Sequence, residues 1–198
     1  MSLRPSLSSV AAIAVAISSL TFALIISRTN AEAPLILGTI PEFELIERSG
    51  STMTRADLDG QVWVADFIFT NCGGTCPMMT YQMGKLNKAL PESVRLVSFT
   101  VDPTRDTPAT LSEYAIRNDV EGDRWFFLTG EREDLYRLAQ EGFHLAVDDT
   151  IGTEVEPITH SSRFALIDED GNIRNYYDGT SLESIDQIIG DVETLLAN

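Results

Sequence analysis

The chain has 198 residues, 43% of them hydrophobic, with 14 Lys and Arg against 30 Asp and Glu for a net charge of −16. That length suits one domain, and the apolar share is enough for a real core and too much for a disordered chain. So acidic a surface argues against a nucleic-acid partner, and two cysteines are too few for a disulfide-stapled scaffold or an all-cysteine zinc site.

The N-terminus reads as an address. Arg4 and the α-amino group are its positive charges, and Val10–Ile26 then runs 17 positions without a charge. A cleavable signal has an apolar region of ~7–15 residues and a spanning helix needs ~17–25, so this segment stands on the border. Thr29-Asn30-Ala31 is a fair cleavage site, and no cysteine follows closely enough for a lipoprotein anchor. The expectation is an uncleaved anchor within residues 1–31, Arg4 on the cytoplasmic side, and an exported domain over residues 35–198.

That domain reads as α/β. Trp63–Phe69 is a nearly unbroken apolar run, as in a strand buried on both faces. The run 78–90 is helical, with Met79, Met83, Leu86 and Leu90 on one stripe. Val94–Val101 is a second strand, and Thr107-Pro108 opens a helix over Ala109–Arg117. Trp125–Leu128 is a short strand and Glu131–Glu141 another helix. Phe164–Ile167 and Ile173–Tyr177 flank the turn pair Asp170-Gly171 as a hairpin, and Leu182–Leu196 closes the chain as an amphipathic helix. The layering predicts a mixed sheet flanked by helices.

The chemistry concentrates at 69-FTNCGGTCP-77, where a buried strand gives way to a helix. Backbone N–H groups and the helix dipole there favour a thiolate. Pro77 fits a first-turn position. Residues four apart on a helix have Cα atoms ~6 Å apart, within disulfide range, so Cys72 and Cys76 can cycle between dithiol and disulfide. A static disulfide across so short a loop would constrain the unfolded chain little.

The run DFIFTNCGGTCP, followed by VSFTVDPTRDTPATLSEYA, WFFLTG and THSSRFALIDEDGNI, resembles the SCO/SenC family of copper-binding assembly factors over roughly Leu35–Asn198. The resemblance implies a thioredoxin-like fold with Cys72, Cys76 and His160 in the metal-ligand positions. It also implies a membrane anchor, copper as Cu(I) or Cu(II), and the copper centre of cytochrome c oxidase as the client, subunit II or another copper or thiol protein. The domain would then face the periplasm or its equivalent from the cytoplasmic membrane. Gly-Gly-Thr stands between the cysteines where many members have a proline, and Thr159 where an aspartate often precedes the histidine. Two thiolates and an imidazole form a soft donor set that suits copper. In such a sheet the late strand runs antiparallel to the first, which brings His160, on the loop entering Phe164–Ile167, beside the cysteines.

Other residues carry two readings each. Asp66, charged inside an apolar strand, is either a buried proton acceptor or an aspartate satisfied at a strand edge by backbone or Arg. Asp102 either orients a ligand or caps its turn, with Arg105 and Asp106 paired inside it. Met78, Met79 and Met83 fit core packing better than thioether donors. His144 alternates with Phe143 and Leu145 and faces solvent. The stretch 168–172 is a turn, its glycine too early for a calcium loop. Three functions compete: a copper metallochaperone, a thiol–disulfide oxidoreductase acting on exported proteins, and a thiol peroxidase. Ala65 and Phe69 stand where peroxiredoxins carry Pro and Thr, so the peroxidase ranks last.

Overall fold

The structure, a computed structural model, describes residues 35–150 and 158–197. The anchor expected within residues 1–31 lies outside them, and no helix of the described residues is long and apolar enough to cross a membrane. Three short strands open the domain, β1 (Gly38–Thr39), β2 (Glu44–Glu47) and β3 (Thr52–Thr54), before a 3-10 turn at Arg55–Leu58. β4 (Trp63–Ile68), buried at all six positions, then leads through the cysteine loop into α1 (Cys76–Ala89).

β5 (Arg95–Thr100), α2 (Pro108–Arg117) and β6 (Trp125–Thr129) follow. α2 starts as its sequence predicts: Thr107 is the N-cap, accepting from the Thr110 N–H at 3.3 Å, and Pro108 fills the first turn. The helix expected over Glu131–Glu141 is instead divided. α3 (Arg132–Arg137) gives way to a wider π turn at Leu138–Gly142. The Phe143 N–H bonds the Leu138 carbonyl at 2.9 Å, which seats Phe143 among Trp63, Phe67 and Phe99. β7 (Val147–Asp148) and β8 (Thr159–His160) pair as a separate small ladder. β9 (Arg163–Ile167) and β10 (Asn172–Asp178) form the expected hairpin, and α4 (Glu183–Leu196) ends the described fold. Between the hairpin strands Gly171 takes φ +80°, and the Asp168 carboxylate accepts from the N–H groups of Asp170 and Asn172. That stretch is a turn.

The large sheet has the order β1-β10-β9-β4-β5-β6-β2-β3. β4, β5 and β6 are parallel, while β9 runs antiparallel to β4 and β10 antiparallel to β9. A β4-α1-β5 crossover beside an antiparallel hairpin makes this the thioredoxin-like fold. Alternation divides β4 between two faces. Trp63 and Phe67 meet Phe143 on one, and Asp66 lies on the other beneath the helices. On that second side Tyr114 of α2 packs on Phe127 and bonds Thr80 of α1 at 2.6 Å. Met79, Met83, Leu86 and Leu90 are buried together and are core, each side chain supplying ~1.5–3 kcal/mol by leaving water, whereas Met78, expected to pack with them, points outward and is exposed. Arg124, itself buried, fixes the far end of α1 by donating to the carbonyls of Asn87, Leu90 and Pro91.

Candidate metal centre

β4 stops where the chain must turn upward into α1, and the cysteines occupy that turn. Cys76 is the first residue of α1 and is fully buried, whereas Cys72 in the preceding loop is half-buried. Pro77 sits in the first turn, where its missing N–H is no loss, and no acid lies in that turn to compete for the helix N-terminus. Both thiols are free.

The two sulfurs are electrostatically unequal. The Cys72 thiol is pushed down to about 4, foremost by a hydrogen bond from Cys76, with the His160 ring and the N–H groups of Cys76 and Gly74 adding to it. Cys76 is pushed upward, because it holds the proton it donates to Cys72 and because it is buried. The pair therefore presents one half-buried thiolate and one fully buried thiol, an inequality that suits thiol exchange.

His160 arrives from 84 positions downstream with Nε2 3.3 Å from Cys76 Sγ. It is not on a free loop, as the sequence suggests, but on β8, held opposite Val147 in the two-residue ladder. Its Nδ1 lies 3.1 Å from the Ser161 carbonyl oxygen. A carbonyl only accepts, so Nδ1 directs a proton at it, which leaves Nε2 as the ring nitrogen facing the sulfurs. Phe69 packs edge-on against the ring at 5.7 Å. No three His, Cys, Asp or Glu side chains of the described residues stand in ready-made metal-ligating geometry. The 3.3 Å separation of sulfur and nitrogen is nonetheless one that two donors of a single metal also have, given bonds of about 2.3 and 2.0 Å in the zinc case. Two sulfurs and an imidazole nitrogen fit a soft ion, and the burial of Cys76 excludes water from one side.

Three buried aspartates lie on β4 and on the turn after β5. Asp66 is on a central strand, not at an edge, and has no Arg partner: its Oδ1 accepts from Ser98 Oγ at 2.6 Å, and Oδ2 is buried without a partner. Burial pushes its carboxyl up to about 7, against the Ser98 bond and the nearby His160. Asp102 caps its own turn: its carbonyl accepts from the N–H groups of Arg105 and Asp106, and its carboxylate pairs with Arg105 at 2.9 Å. Arg105 thus pairs with Asp102 rather than Asp106. Asp106 is buried and accepts from the Thr70 N–H, the Thr70 hydroxyl and the Thr100 hydroxyl, which ties this turn to the start of the cysteine loop. Sequence reasoning missed that role, since Thr70 is 36 positions away. His144 is exposed as expected, though at φ +52° and outside any strand, with Gly38 close against its ring.

The SCO1/SenC family model matches residues 36–197. The chain belongs to the SCO1/SenC family. The SCO1 homologue of Bacillus subtilis (strain 168) is 35% identical over 159 residues, 78% of this chain and 81% of that protein. A Stutzerimonas stutzeri protein named for copper binding is 32% identical over 144 residues, 69% of this chain and 68% of its own. Among solved structures, a SCO1/SenC lipoprotein of Bacillus anthracis superposes with a TM-score of 0.75 at 34% identity, covering 83% of this chain and 98% of that one. BsSco, described with a disulfide switch and as a member of the Sco family of cytochrome c oxidase assembly proteins, gives 0.73 at 35%, covering 83% and 96%. The SCO1/SenC resemblance drawn from the cysteine, DPTRDTP and late-histidine segments thus holds across the whole described domain.

Proposed function

We propose that this protein is a copper metallochaperone whose cargo is held by Cys72, Cys76 and His160, and which serves the assembly of the copper centre of cytochrome c oxidase. The observation that carries the reading is the 3.3 Å approach of His160 Nε2 to Cys76 Sγ across 84 positions of sequence. The fold expends a separate two-stranded ladder on holding that ring there. Support comes also from the S. stutzeri relative named for copper binding and from BsSco's description as an oxidase assembly protein. Copper binds as cargo: Cys72 offers a thiolate at the surface, Cys76 a second sulfur on losing its proton, and His160 a neutral nitrogen. Subunit II, with its exposed copper domain, is the client this reading favours, and the segment within residues 1–31 anchors the domain at the outer face of the cytoplasmic membrane. The B. anthracis relative, a lipoprotein, is consistent with such a placement.

A second reading, thiol–disulfide exchange, draws on Asp66, buried under the helices with one oxygen unpartnered. In that step the two thiols become a disulfide, a client disulfide gains the two electrons and two protons, and no metal moves. Both reactions can belong to one cycle, since oxidised sulfurs are no longer thiolate donors. Copper stoichiometry on the purified full chain under reducing, anaerobic conditions tests the main reading. One equivalent should bind. His160→Ala should weaken Cu(I) in part and Cu(II) far more, because Cu(II) prefers nitrogen donors. Wild-type Cu(II) absorption and affinity in His160→Ala, or full copper binding after complete thiol oxidation, contradicts it.

A further inference from the structure

The exposed side of α1 is unlike the rest of this acidic molecule. The chain's two lysines, Lys85 and Lys88, both stand on this helix. With Arg117 of α2 they line a cleft of about 440 Å³, whose walls also include Tyr81, Trp125 and one acid, Asp119. Arg48, Arg55, Arg105, Arg132, Arg137 and Arg174 are each paired with a carboxylate. Among the described residues no carboxylate stands in ion-pair contact with Lys85, Lys88 or Arg117. Lys85 and Arg117 lie instead over the rings of Tyr81 and Tyr114, at 4.9 and 5.9 Å.

Helical spacing joins the cleft to the cysteines. Met78, Tyr81, Lys85 and Lys88 fall on one stripe of α1, which runs about 15 Å from the cysteine end down to the cleft. Met78 and Tyr81 are 46% and 59% exposed, Met78 in the first turn of α1 after Cys76 and Tyr81 passing into the wall of the cleft.

We propose that this stripe is the docking surface for the client protein, which meets Met78 and Tyr81 with apolar side chains and the Lys85–Lys88–Arg117 cleft with an acidic segment. The inference rests on the reading of the dithiol as a copper-delivery site and deepens it. Charge complementarity selects the partner and its orientation. A chain of net charge −16 repels an acidic protein over most of its surface and attracts it at this cleft, so the partner settles with its own site toward Cys72. A plane of acidic headgroups would meet the repelling remainder as well, whereas a single acidic segment enters the concave cleft alone.

The test uses the copper-loaded full chain and, as probe, the copper-accepting domain of the host's oxidase subunit II, with affinity measured by calorimetry at low and high salt. K85E/K88E should lose roughly tenfold or more in affinity at low salt and much of the salt dependence, while taking up copper as the wild type does. K85Q/K88Q should fall between, and Arg137→Glu, remote on α3, should change nothing. Wild-type affinity and salt dependence in K85E/K88E overturns the docking surface. So does a K85E/K88E that keeps the probe but loses binding to vesicles of anionic phospholipid, for the stripe is then a lipid surface. A wild type that takes up copper yet ignores the probe at every salt overturns the client reading and this inference with it.

Discussion

Two loops leave the same end of the sheet, from the adjacent parallel strands β4 and β5, and they have opposite characters. The loop after β5 uses most of its polar groups on itself. Thr100 receives the Asp102 N–H, Asp102 receives two more and pairs with Arg105, and Thr107 caps α2. The loop after β4 is tied down at Thr70 and at the Thr75 carbonyl, which receives the N–H groups of Met78 and Met79, and between them it presents Cys72. One loop supplies position, the other reactivity, and Asp106 is the joint between them. A thiol pair can trade a proton, a disulfide bond and a metal at one place only if its surroundings stay still.

The largest effect that would sharpen this contrast is chemical. Cys72 should titrate near 4, more than four pH units below an ordinary thiol at about 8.5. Its alkylation by iodoacetamide should be nearly flat from about pH 5 to 8 and fall only below that, whereas Cys76 stays unreactive. A rate that keeps rising to pH 8 breaks the account of the reactive loop.

Next comes the joint. Asp106→Ala strips the partner from two hydroxyls and one N–H at a fully buried position, and should cost roughly 3 kcal/mol in chemical denaturation. A loss under about 1 kcal/mol would make the two loops independent.

The smallest effect concerns Asp66, below the reactive loop. Its folded-state value of about 7 lies above that of an unfolded aspartate, about 3.9, so the native state holds a proton that the unfolded chain releases. Its contribution is favourable at low pH and is lost as pH climbs from about 4 through 7. Asp66→Asn should therefore exceed the wild type by about 1–2 kcal/mol in urea unfolding at pH 8 and gain nothing at pH 4. The same difference at both values would mean that the carboxyl ionises in the fold as it does in the unfolded chain.

How much of this was legible in the sequence follows from how local each signal is. The apolar run of β4, the Thr107-Pro108 cap and the Asp170-Gly171 turn are decided by neighbours in the chain, and they stand where the sequence puts them. β1 and β2 are too short for periodicity to reveal them: β1 is held by a remote partner, Ile173 opposite Gly38, and β2 by neighbouring β3 together with remote β6, Thr129 opposite Ile46. The π turn after α3 likewise answers to the aromatic cluster that Phe143 joins. At the site, the cysteine pair announces itself by spacing. His160 is found through the resemblance and the direction of the late strand, and the ladder that carries it is set by Val147. Asp106 shows the limit most plainly: its neighbour Arg105 offers an obvious partner, yet the carboxylate turns inward to hydroxyls from two other segments.

The central claim is that Cys72, Cys76 and His160 hold copper together. X-ray absorption of the reduced full chain loaded with one equivalent of Cu(I), wild type beside His160→Ala, addresses it most directly. The account predicts two sulfur scatterers and one imidazole nitrogen in the wild type, with the nitrogen lost and both sulfurs kept in the variant. An imidazole contribution that survives in His160→Ala, or a wild-type shell with fewer than two sulfurs, would contradict it.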